Sequence, residues 1–402
     1  MASEKQPLEV RAVALARALQ TTAVTLITPA EQAQLDELSG MLEHPPDKVT
    51  VAQLTDQAFR PRSASRGISQ FQHLLETRGI PRFFGAFDKL GLQILRRIGQ
   101  LVAVVAFPLS RRKIRMDTAN VILRAEHPPL TAHLRRRHAE GLRMNVNLLG
   151  EAVLGETEAA QRLEQYLATL ALPEVEVVSV KISTLYSQVS PLAREHSVAV
   201  LCERLEKLFR GGADQIFTRP NGDRVAKFVY LDMEEYRDMH LTAAAFMRTL
   251  DRDGMENVSA GIVLQAYLPD AHAVQQQLNA WARARVAGGG APIRLRLVKG
   301  ANMETERIEA AIGGWPQAPF SVKIDTDANF KRMLHEAMCE ENIAAVRPGI
   351  ASHNLFDIAY GLLLAQDHGA IHRVRLEMLE GMARHQRRAL AKHAENILLY
   401  AP

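Results

Sequence analysis

The chain has 402 residues, enough for one large domain and an accessory region. Its 49 Lys and Arg against 45 Asp and Glu leave a net charge of only +4. No basic run is interleaved with aromatics, so a nucleic-acid surface is not expected. The two cysteines, Cys202 and Cys339, lie in unrelated segments with neither a zinc spacing nor a disulfide framework, which fits a reducing cytoplasm.

The first 125 residues read as a helical arm. Residues 8–20, 29–42, 50–59 and 83–105 carry helical apolar spacing, with breaks at 44–47 and 60–67. The amphipathic start, 1–20, has no long apolar core and is not a secretory signal. The longest apolar run, 101–109, falls between Arg96, Arg97, Arg111 and Arg112. It is too short to span a bilayer and reads first as a buried helix, second as a docking element at a membrane surface. Arg135, Arg136 and Arg137, on a helix expected over 130–141, read as a solvated face.

After Pro129 short β-branched runs alternate with helical segments. The strand candidates are 143–148, 175–183, 226–232, 261–267, 293–299, 320–325, 346–353 and 374–379. Eight runs, with a helix after each of the first seven, predict an α/β fold, a (β/α)8 barrel occupying 126–402. An open doubly wound sheet is the rival, but no G-x-G-x-x-G follows a strand. Gly288, Gly289 and Gly290 lie between a helix and a strand and read as a plain turn.

Position is the informative feature. Nearly every candidate strand ends in a residue that an apolar core would reject: Glu151, Lys181, Asp232 with Glu234 and Glu235, Gln265, Lys299, Lys323 with Asp325, His353, Glu377. In a barrel these are the C-terminal strand ends, where active sites sit. Arg294 and Arg296 share one face of their strand, so if the leucines pack on the helices both arginines point inward and require anionic partners. Any one of these groups could be solvated, and Glu151 or Glu234 could merely open a helix. Eight such strand ends at one end of a barrel point to a functional site.

Those residues also carry a family resemblance. Asn147 to Ala152, Val180 to Ser183, Leu231 to Glu235, Leu264 to Tyr267, Arg296 to Ala301, Lys323 to Asp327, Ala351 to Asn354, Glu377 to Met382 and Tyr400 to Pro402 resemble proline dehydrogenase motifs, in the family's order. Arg296-Leu297-Val298-Lys299-Gly300-Ala301 is the most specific piece. The N-terminal part resembles, less strongly, the helical arm of bifunctional proline utilization A proteins.

The resemblance implies a distorted (β/α)8 TIM-like barrel that holds FAD non-covalently. It implies oxidation of L-proline to Δ1-pyrroline-5-carboxylate by hydride transfer to flavin, with the electrons passed to a membrane quinone. Arg296 would lie at the flavin's hydride-accepting nitrogen and Gln265 would hydrogen-bond the flavin. Asp232, Lys299, Gly300, Ala301, Ser321, Lys323, Thr326, His353, Asn354, Glu377 and Met378 would serve the rest of the cofactor. Lys181 would pair with the substrate carboxylate, Leu379 and Tyr400 would pack on its ring, and Asp232 would orient Lys181 or Tyr400. Lys181, Asp232, Arg296 and Tyr400 are the expected catalytic set. An aldehyde dehydrogenase domain fused C-terminally, a homodimer and a cytoplasmic location at the inner membrane face belong to the same expectation.

Departures matter as well. The family follows the Tyr-Ala-Pro element with a helix whose arginine pair clamps the carboxylate and gates with the counterpart of Glu151. The sequence stops at Pro402, so the expected barrel lacks its last helix. Arg387 and Arg388 precede Tyr400 and are not accepted as that clamp. Asn302 and Met303 replace an aromatic pair. Two rival functions remain: a flavin-binding fragment impaired in turnover, and a lyase or aldolase barrel using Lys181 or Lys299 as a Schiff-base nucleophile.

Overall fold

The computed structural model describes residues 6–118, 126–148, 152–394 and 397–401. It divides into two compact units, one of residues 23–123 and one of residues 1–22 with 124–402. The start of the first helix, Leu8–Thr25, therefore belongs with the larger unit and not with the arm. It buries Ala12, Ala16 and Leu19, and Arg11 pairs with Asp367.

The smaller unit is helical. Thr28 and Glu31 form a reciprocal capping box at the start of helix Pro29–Glu43. Helices Pro45–Phe59, Ala64–Arg78, Ala86–Ile98 and Ala103–Thr118 follow, the last two joined by a 3-10 turn at Gly99–Val102. Leu54, Ile68, Phe71, Leu75, Leu95, Ala103 and Phe107 form their shared core. The run at 101–109 is not the buried helix expected of it. Ala103 and Phe107 are buried in the core and Ala106 packs against it, while Leu101 and Val104 are 86% and 80% exposed. By length and composition the stretch Ala86–Ile114 could cross a membrane, which the shorter run alone could not.

The larger unit is a closed parallel barrel. Its strands, with a small hairpin (β3 and β4), are β1 Arg143–Asn147, β2 Val177–Lys181, β3 Ile216–Thr218, β4 Arg224–Ala226, β5 Phe228–Asp232, β6 Gly261–Gln265, β7 Ile293–Val298, β8 Val346–Ala351, β9 Arg375–Leu379 and β10 Ile397–Ala401. The barrel order is β1-β10-β9-β8-β7-β6-β5-β2. Helices cover the outside, so the strands are buried on both faces, and β2 and β6 accordingly read as near-continuous apolar runs, whereas β7 alternates Arg294 and Arg296 with buried leucines. Alternate residues face inward. Register sets Lys181 beside Asp232, Arg296 beside Gly349 and Tyr400 beside Leu379, so the ends of non-adjacent segments converge on one rim.

Eight strands were expected and eight close the barrel, but they are not the same eight. Residues 320–325 form no strand. Val322 stands before helix Lys323–Met338, which buries Thr326, Asn329, Phe330, Met333 and Leu334 at helical spacing. The alternation of Phe320, Val322 and Ile324 imitates a strand, yet Val322 and Ile324 are exposed. The strand that closes the barrel is β10, which pairs with both β1 and β9.

Candidate active site

A cavity of about 350 Å3 opens at the C-terminal ends of the strands, within the range of small-molecule sites. Its floor is an ionic cluster. Arg296, on β7, is 4% exposed. Its Nε donates to Glu377 Oε2 at 2.5 Å and its Nη1 to Asp232 Oδ1 at 2.9 Å. The guanidinium carbon lies 3.9 Å from the centroid of the Tyr230 ring and 5.3 Å from that of Tyr400. Burial would lower the Arg296 pKa, but Glu377 and Asp232 more than offset it and hold it above its ordinary value.

Each carboxylate of the cluster is fully employed. Glu377 also accepts from the Tyr230 hydroxyl at 2.8 Å. Asp232 accepts from the Tyr400 hydroxyl at 2.8 Å and from Ser179 Oγ at 3.2 Å. Of the two partners expected for Asp232, it hydrogen-bonds Tyr400 and not Lys181. Lys181 turns elsewhere: its Nζ donates to Glu234 Oε1 at 2.6 Å, and Ser183 donates to the other oxygen of Glu234. Glu234, read from sequence as a possible helix-opening residue, is the counter-ion of Lys181.

The rim after β7 carries a backbone constraint. Gly300 has φ +131°, and a Cβ there would lie 2.4 Å from the Tyr267 ring. Gly300→Ala is expected to cost about 2–4 kcal/mol, combining backbone strain with overpacking. Thermal unfolding checks this, with Ala301→Gly as control; a variant melting within about 1 °C of the parent would refute it.

Lys181, Asp232, Gln265, Arg296, Lys299, Gly300, Ala301, His353, Glu377, Met378, Leu379 and Tyr400 all line this one cavity. Ser321, Lys323, Thr326 and Asn354 do not. Ser321 and Lys323 are exposed, Thr326 is buried in the first turn of its helix, and Asn354 caps helix Leu355–Asp367 by accepting from Phe356 N at 2.9 Å. Glu151 lies outside the described residues. Lys299 meets the cavity already neutralised, bridged to Asp327 and Asp357. Lining residues that the sequence reading passed over include Met233, Val263 and Ser352. Tyr230 was missed too, although its i, i+2 spacing to Asp232 puts both on one strand face.

Three buried polar atoms of the lining have no protein partner: Gln265 Oε1, Arg296 Nη2 and His353 Nδ1. The Gln265 amide nitrogen is spent on the Met233 and Glu234 carbonyls, so an acceptor is left. His353 Nε2 accepts from Leu379 N at 2.9 Å, which puts the proton of the neutral ring on Nδ1. Burial holds the His353 pKa below its ordinary value and favours that neutral form. One acceptor and two donors on a cavity of this size fit a polar ligand with acceptors and a donor on its edge, as an isoalloxazine ring has.

Comparison with known proteins settles the family. A model described as Proline dehydrogenase matches residues 130–402. The chain belongs to the proline dehydrogenase family. Membership places it among oxidoreductases that act on proline, and members of the family are flavoenzymes. "Proline dehydrogenase 2" of Bacillus subtilis (strain 168) is 26% identical over 270 residues, 67% of this chain and 76% of that one. The solved structure of Proline Utilization A from Corynebacterium freiburgense is 38% identical with a TM-score of 0.66, over 79% of this chain. Proline utilization A from Bdellovibrio bacteriovorus, inactivated by N-propargylglycine, shares the fold with a TM-score of 0.80 at 24% identity, over 98% of this chain. The chain spans 31% and 40% of the lengths of those two solved chains.

Proposed function

We propose that the chain oxidises L-proline to Δ1-pyrroline-5-carboxylate with non-covalently held FAD, and that a membrane quinone takes the electrons as proline is broken down to glutamate. The observation that carries this reading is Arg296, a buried guanidinium braced by two carboxylates at the cavity wall with one nitrogen unspent. Bound flavin supplies a two-electron acceptor there. Arg296 provides a fixed positive charge where electron density gathers during hydride transfer, with no solvent to reorganise. Gln265 and His353 offer an acceptor and a donor to the same group, while Lys299, Gly300, Ala301, Glu377 and Met378 border it. Ser321, Lys323, Thr326 and Asn354, at or near two helix starts, suit the pyrophosphate and adenosine end, where free backbone N–H groups favour anions.

On the substrate side, Lys181 takes the carboxylate of proline, which displaces Glu234 as its counter-ion. Leu379 and Tyr400 pack on the ring, and Asp232 fixes the Tyr400 phenol. The hydride would leave the carbon next to the ring nitrogen from the deprotonated amine, and the part of these residues would be to orient the ring and exclude water. Glu151 joins the substrate side by family resemblance alone. So do a C-terminally fused aldehyde dehydrogenase, a homodimer and a cytoplasmic location. Residues 86–114, apolar, exposed and interspersed with arginines, suit contact with the quinone-bearing membrane face.

A Schiff-base lyase fits less well. Burial would lower the Lys299 pKa, but Asp327 and Asp357 outweigh it and raise the value, the opposite of what an amine nucleophile needs. The deciding experiment is the visible spectrum of the purified chain before and after anaerobic proline. A flavin band that bleaches is expected. Colourless protein that FAD cannot reconstitute refutes the reading, and a band that persists with proline favours a flavoprotein that does not turn over.

A further inference from the structure

The opposite, N-terminal end of the barrel is crowded with arginines. Arg143 opens β1 and Arg375 opens β9, while register sets Arg294 on β7 beside Arg347 on β8. Arg294 and Arg375 stand two positions before Arg296 and Glu377, hence on the same inward faces, one layer further from the candidate active site.

Their charges are unevenly answered. Arg143 pairs with Glu176, which also holds Arg219. Arg294 makes a long contact, 3.5 Å, to the Arg373 carbonyl. Arg375 is 5% exposed, and its Nε and Nη1 have no partner. Glu377, two residues on, has both oxygens taken by Tyr230 and Arg296. A buried guanidinium left in this state is costly unless something anionic meets it. Burial, then the like charges of Arg294 and Arg143, pull the Arg375 pKa down to about 9, so it stays protonated at neutral pH.

We propose that the barrel floor binds a small inorganic monoanion of the halide class between Arg375 and Arg294. The ion supplies the acceptor that Arg375 lacks and offsets the positive surplus in this layer. Its role is structural, remote from hydride transfer, and it does not depend on the reading given for the opposite rim.

The test is thermal unfolding of the full chain in sodium chloride against sodium gluconate at equal ionic strength. A saturable rise of about 1.5–2.5 °C at a tenfold excess over half-saturation is expected for chloride alone. Arg375→Met should lose that rise and melt no lower than the parent in gluconate, because it removes a buried guanidinium whose Nε and Nη1 have no hydrogen-bond partner and which only the more distant Glu377 offsets. Equal chloride effects in both proteins, half-saturation only at molar chloride, or a lower melt for Arg375→Met in gluconate would each overturn the proposal. If the variant does not fold, crystals of the parent grown in bromide decide. An anomalous peak within hydrogen-bond reach of Arg375 supports the site, and its absence refutes it.

Discussion

Replacing Arg296 by Met is expected to lower kcat/KM for proline by about 10²–10³-fold and to destabilise the fold by about 3–5 kcal/mol. The two losses have different origins. The rate loss comes from removing a fixed cation at the cavity wall. The stability loss comes from Asp232 and Glu377, buried carboxylates that would lose the guanidinium they share and must either stay charged without it or take up a proton. They can be separated. Adding Glu377→Gln to Arg296→Met removes one of the stranded charges while leaving an acceptor for the Tyr230 hydroxyl. The double variant should regain much of the stability and none of the rate. Arg296→Lys keeps a charge but not the fork that reaches both carboxylates, and should fall between. Steady-state kinetics with an artificial electron acceptor and thermal unfolding give the two readouts. A kcat/KM within tenfold of the parent for Arg296→Met would show that the guanidinium only holds the barrel together.

How much of this was legible in the sequence depends on the range of the interaction. The barrel was legible because fully buried parallel strands are short β-branched runs, and six of the expected segments, from 143–148 to 293–299 and then 346–353, overlap observed strands, as does 374–379. The failure at 320–325 has a local cause, since a helix approach with alternating exposed Val322 and Ile324 has the same period as a strand. The closing strand β10 escaped because Ile397 to Tyr400 is a uniform apolar run, which periodicity alone does not assign. At the site, residue type and strand position were enough to collect Lys181, Asp232, Arg296 and Glu377 into one cavity, while Tyr400 came only from the family resemblance. They were not enough to assign partners. Lys181 and Asp232 are register neighbours on β2 and β5, yet the long lysine side chain reaches past Asp232 to Glu234, and Asp232 is left to Arg296 and Tyr400. Of the adenosine-end candidates, Ser321, Lys323 and Thr326 came from a segment whose secondary structure was misread and Asn354 is spent capping a helix, and the cavity collects none of them.

The Lys181–Glu234 pair gives the second large effect. If Lys181 serves only to hold the substrate carboxylate, Lys181→Met removes a charge-assisted contact worth about 1.5–3 kcal/mol and raises KM for proline by roughly 10–100-fold with kcat little changed. Glu234 competes for the same ammonium group. Glu234→Gln should therefore lower KM by a few-fold, since the incoming carboxylate no longer displaces a charged partner. The double variant should match Lys181→Met alone, because Glu234 then has nothing to compete for, and this non-additivity is the signature of a shared partner. The same ranking should hold for the dissociation constant of an unreactive cyclic carboxylate, which reports binding without turnover. A Lys181→Met variant that loses kcat at unchanged KM would move the lysine from substrate capture to the chemical step. Additive effects of the two substitutions would mean that Glu234 acts through the loop it shares with Gln265 and Asn302, whose amides donate to its backbone carbonyl, and not through the lysine.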